Sequence, residues 1–78
     1  MNSRYYYGFE FEKSIYLLAV DDEENRFINY TTAKKSDLSK FVLLDDSDIE
    51  GLEWKLWFDL ESFPITFRRF SVTEIEGE

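Results

Sequence analysis

The chain has 78 residues, with 17 acidic against 9 basic side chains, no histidine and no cysteine, so its formal net charge is −8. This excludes disulfides, thiolate chemistry and cysteine-based zinc sites, and an acidic surface lacks the charge that nucleic acid or an anionic membrane attracts. Hydrophobic residues at 44% and aromatic residues at 19% are too large an apolar payload for disorder, and the length suits a single domain, residues 1–78, with one modest core.

The opening residues Met1 to Tyr7 lack the apolar run of a signal peptide, and the longest such run, Ile15 to Val20, is too short for a bilayer. The expected location is cytoplasmic, that of the host cell if the protein is virally encoded. Tyr5 to Glu12 becomes alternating at Phe9, which predicts a first strand, with Gly8 marking a bulge or a close backbone approach. A turn is expected at Lys13-Ser14. Ile15 to Val20 is apolar on both faces and is the candidate for the most buried strand. Asp21-Asp22-Glu23-Glu24-Asn25 then reads as a hairpin loop before β-favouring residues resume at Arg26 to Thr32. Asn29-Tyr30-Thr31 matches a glycosylation sequon, idle without a secretory route. Lys34 to Leu44 predicts a helix of about two turns, capped by Ser36 or Asp37 with Leu38, Phe41 and Val42 on one side; the alternative is a strand at Phe41 to Leu44.

Gly51 to Thr73 reads as a hairpin. Leu52, Trp54, Leu56, Phe58 and Leu60 share one parity, Glu53, Lys55, Asp59 and Glu61 the other, and Trp57 alone breaks the pattern. A helix is the competing reading, because Ile49, Leu52, Leu56, Leu60 and Phe63 recur at spacings of three and four and Ser47-x-x-Glu50 could cap it. Helix would place Gly51 in an early turn and aim Trp54 and Phe58 at solvent, so strand is preferred, with Leu56 and Phe58 in the core. The second arm follows Pro64, with a phase slip near Arg68-Arg69 that suggests a bulge. Residues 74–78 are expected to form a frayed acidic tail. The predicted fold class is α+β or mainly β, a single antiparallel sheet of about four to six strands with at most one short helix.

No enzyme activity is expected. Ser47, Ser62 and Ser71 lack a base, and a glycosidase-like carboxylate pair lacks an enclosed site in so short a chain. No cofactor and no metal are expected, although Asp46-Ser47-Asp48-Ile49-Glu50-Gly51 resembles the opening half of a calcium loop; the twelfth position, where a bidentate Glu belongs, is Trp57. Arg68 and Arg69, neighbours in a strand, should face opposite ways and pair with Asp59 or Glu53. Glu10 with Glu12, Asp59 with Glu61, and Glu74 with Glu76 are spaced by two, which on a strand forms same-face carboxylate rows that imitate a nucleic-acid backbone. Trp57 is the expected exposed anchor, and Asp45, Asp46, Asp48, Glu50, Asp59 and Glu61 are the expected acidic rim.

These features point to a small acidic protein-binding module whose partner is a protein with a basic surface, without direct nucleic-acid or membrane contact. In size and composition it resembles the inhibitors that phages and mobile elements deploy against host nucleases and defence complexes, including DNA mimics, and toxin-neutralising immunity proteins. The alternatives are a self-associating structural subunit, hence a homodimer, and a calcium-binding module.

Overall fold

Two tight hairpins build three of the four strands in a computed structural model that describes residues 3–60 and 65–77, with the backbone alone for 56–60. Strands β1 (Tyr5–Phe11) and β2 (Ser14–Asp21) pair with Phe11 opposite Ser14, so Glu12 and Lys13 form the loop, with φ of 48° and 69°. Strand β3 (Glu24–Asn29) pairs with β2 with Asp21 opposite Glu24, leaving Asp22 and Glu23 at φ of 51° and 65°. Positive φ at both loop positions matches the twist of a two-residue hairpin and is usually supplied by Asn-Gly. Here charged L-residues adopt it, at a steric cost. The first turn therefore falls one residue before the expected Lys13-Ser14, and the second uses only the middle of the acidic run.

A fourth strand, β4 (Arg68–Ser71), pairs antiparallel with β1, giving the order β3-β2-β1-β4. The α+β class and the antiparallel sheet agree with the expectation. Gly8 lies between Leu17 and Arg68 in adjacent strands. A Cβ there would sit 1.7 Å from the carbonyl oxygen of Tyr16, so the glycine marks a close approach and not a bulge. The register also runs evenly through Arg69 and Arg68 opposite Tyr7 and Gly8, without the expected slip.

Alternation assigns the two faces of the sheet. One carries Tyr7, Phe9, Tyr16, Leu18, Phe27 and Arg69; Phe9, Phe27 and Phe67 close on one another with ring centroids 5.0–5.7 Å apart. The other carries Tyr6, Leu17, Ala19, Ile28 and Phe70, of which Leu17, Ala19 and Phe70 are fully buried. Leu17, Leu18 and Ala19 make β2 the most buried strand, as its apolar composition implied. Tyr30 and Phe41 meet edge-on over the second face, where the Tyr30 hydroxyl donates to the Ile75 carbonyl and the Tyr6 hydroxyl to Glu76.

Pairing of β1 with β2 stops at Gly8 and Leu17, and residues 40–44 fill the splay beyond. The Val20 N–H donates to the Lys40 carbonyl (2.9 Å), the Val42 N–H to Leu18 (3.3 Å), and Tyr5 and Leu44 exchange both bonds at 2.8 Å. Backbone groups left open by the splay find their partners in this segment. Helix α1 (Lys35–Leu38) is consequently a single turn and shorter than expected, because Phe41 and Leu44 are drawn into bridges with Ala19 and Tyr5. Lys40, 3.2 Å from Asp21 and 3.4 Å from Asp37, ties the segment to β2.

The largest correction is helix α2 (Asp46–Leu60), which occupies the first arm of the expected hairpin and the calcium-loop-like hexapeptide Asp46 to Gly51 before it. Asp45 caps it: its Oδ1 accepts the Asp48 N–H at 2.8 Å, and its carbonyl accepts the Ile49 N–H. Ile49 is fully buried and Leu52 half-buried, whereas Trp54, assigned to the buried parity with Leu52, is 75% exposed. Residues two apart on a helix stand about 200° apart, so the two cannot share a face. Leu56, Trp57 and Phe58 lie in α2, but their side chains, like the 61–64 connection, fall outside the described residues. Helix α3 (Val72–Glu76) replaces the fraying expected from residue 74: Ser71 Oγ accepts the Glu74 N–H at 3.0 Å, and Gly77 closes the turn at φ 82°.

Candidate functional site

Helix α2 presents three flanks. Toward the sheet, the Tyr7 hydroxyl donates to Glu53 Oε1 at 3.3 Å, and Arg69 reaches Asp46 at 3.5 Å and Glu53 at 3.9 Å. Burial, with the Glu53 carboxylate beside it, pushes the Tyr7 phenol up to about 12. The outer flank carries Glu50 and, one turn on, Trp54, about 140° around the axis from Ile49. The third flank, with Asp48, Gly51, Leu52 and Lys55, walls a groove of about 470 Å³. The floor of that groove is Leu18, Val20, Val42 and Leu44, contributed by β2 and the inserted segment.

Asp45, Asp46, Asp48 and Glu50 therefore do not form one loop cluster. Asp45 is the cap, Asp46 faces Arg69, Asp48 borders the groove and Glu50 accompanies Trp54. Trp57 and Asp59 belong to α2 with side chains outside the described residues, and Glu61 lies outside them altogether. The calcium-like hexapeptide is helical from Asp46 onward and cannot wrap an ion as a loop does; among the described residues no cluster of three or more ligating side chains forms.

The paired-carboxylate rows are also absent as strand rows. Glu12 sits in a turn, Asp59 in α2, and Glu74 and Glu76 in α3. Glu10 and Glu74 instead pair with Arg68 at 2.9 and 3.1 Å, while that guanidinium lies 3.7 Å from the Phe70 ring centroid. The two arginines do take opposite faces, and Glu53 is a partner of Arg69, although it reaches it from a helix. Two features escaped the alternation reading: Trp54 as the exposed aromatic, and the shared stripe of Asp48 and Lys55. The spacing Glu50-x-x-x-Trp54 could have shown the first, once a helix starting after Asp45 was weighed.

Fold and flank together define an α+β protein with a bare tryptophan on an acidic helix. Comparison with protein-family models, with curated proteins and with solved structures finds no match. No helix among the described residues is long and apolar enough to cross a membrane.

Proposed function

We propose that this chain is a small protein-binding module that blocks or tunes a partner bearing a basic surface, engaging it through the outer flank of α2. The observation that carries the reading is the 75% exposure of Trp54, one helical turn from Glu50. Tryptophan is a favoured interface anchor, and its large apolar surface gains most when a partner removes it from water. The acidic excess supplies the complement: long-range attraction steers a basic partner, and a charged rim then surrounds the buried anchor. Inhibition of a host protein or nucleic-acid-binding complex follows from occupying a basic surface and needs no chemistry of the module's own. The reading keeps the acidic partner-binding role and discards the strand-row imitation of a nucleic acid.

Affinity capture from lysate of the native host, run in parallel with wild type and Trp54→Ala, tests it. A basic protein retained by wild type and lost by the variant, with faster release as salt rises, is the expected result. Equal retention by both, indifferent to salt, would sink the reading.

A further inference from the structure

We propose that a second copy of this chain docks on the groove flank of α2, the two helices running antiparallel with Gly51 at the crossing. The proposal goes beyond the partner-binding reading, because it uses a different flank of the helix.

Its basis is a self-complementary stripe. In a two-fold interface the same patch meets itself, so a residue on one side of the axis faces its counterpart from the other side. An axis passing between Gly51 and Leu52 has Asp48 and Lys55 equally far away in opposite directions. Seven residues apart, the two differ by only about 20° around the helix and lie about 10.5 Å apart along it. Asp48 then faces the partner's Lys55, and Lys55 faces the partner's Asp48, so one charge pair closes at each end.

Gly51 lies between them on the wall of the groove. Among the described residues a Cβ added there meets nothing within 4 Å, so packing against them does not require glycine at this mid-helix position. Glycine weakens a helix, and its use is explained by a second backbone approaching where a side chain would hold it off. The apolar surface awaiting cover is present too: Val20 on the groove floor is 42% exposed and Leu52 is half-buried. A domain this small gains stability from such a partner. Trp54, three residues on from Gly51, points about 110° away around the axis from the Asp48–Lys55 stripe, so it flanks the crossing on the outer side and the dimer would display two anchors.

Sedimentation equilibrium of the full chain across a wide concentration range should show a monomer–dimer equilibrium. Asp48→Lys and Lys55→Glu each juxtapose like charges twice, and each should weaken the dimer about tenfold or more. An equimolar mixture of the two variants restores opposite charges at both ends and should recover the wild-type constant. Gly51→Trp should leave monomer only, with circular dichroism confirming the fold. Lys55→Glu keeps a good helix former, so it remains decisive should Asp48→Lys fail to fold. A wild type that stays monomeric throughout, a dimer unchanged by Lys55→Glu, or a dimer that survives Gly51→Trp overturns the proposal. Trp54→Ala should leave the dimer constant unchanged while losing the captured partner, which separates failure here from failure of the proposed function.

Discussion

Two glycines show how position decides what a missing Cβ is worth. At Gly8 an added methyl group would collide with the Tyr16 carbonyl at 1.7 Å, in the middle of two strand pairings. Gly8→Ala should therefore cost about 3 kcal/mol or more, since rigid backbone cannot yield as a side chain would. At Gly51 the space among the described residues is open, and Gly51→Ala should stabilise the dilute monomer by about 1 kcal/mol. Thermal melts of both variants check the opposite signs. Tyr7 adds a pH dependence. Its folded-state pKa of about 12 exceeds the ordinary value of 10.0, so the folded form holds the proton more tightly. That contribution to stability is complete below pH 10 and declines as pH rises toward 12. Tyr6, raised by burial and by its bond to Glu76, acts with the same sign. Tyr7→Phe should flatten the alkaline loss in urea titrations, leaving Glu53 to Arg69.

Among the elements, the hairpins were legible because strand alternation and turn chemistry are local. Phe9 and Phe11 alternate with Glu10 and Glu12, and charged residues mark both turns. Helix α2 was not, for a geometric reason: Leu52, Leu56 and Leu60 recur every four residues, a spacing that satisfies period two and one helical face equally. The deciding signals were Trp54, apolar yet exposed, and Asp45-x-x-Asp48, the cap that alternation did not weigh. The Gly51 penalty was real but small beside burial of Ile49, whose replacement by Ala should cost about 2–5 kcal/mol. Asp45→Ala should cost about 1 kcal/mol by freeing the Asp48 N–H, measurable as lost helical ellipticity and a lower melting temperature. For residues 40–44 the extended alternative, a strand at Phe41 to Leu44, was legible and is the one the bridges to Ala19 and Tyr5 favour, but the pairing itself was not, because its partners exist only once β1 and β2 splay. Of the candidate site, composition showed the acidic excess and the aromatic surplus. It could not show that a helix would distribute Asp45 to Glu50 among a cap, an ion pair, a groove and an outer flank.

Across the whole molecule the charge balance is uneven. Arg26, Lys40, Arg68 and Arg69 each sit between two carboxylates, whereas Asp22, Glu23 and Glu50 have no cation within ion-pair distance among the described residues. With a net charge of −8, repulsion outweighs the small gain from exposed pairs. Moderate sodium chloride should therefore raise the melting temperature, and a fall on adding salt would show that the pairs dominate. The inserted segment carries a further consequence. Leu44 is hydrogen-bonded to Tyr5 at both its N–H and its carbonyl, and the next residue caps α2. The amides of Tyr5, Val20, Val42 and Leu44 thus belong to one latch, and each can exchange with solvent only when the latch opens. Deuterium uptake at those four positions should follow a common opening event and slow together when α2 is gripped from outside. Val20, on the central strand β2, would then report occupancy of a surface that its own amide never touches.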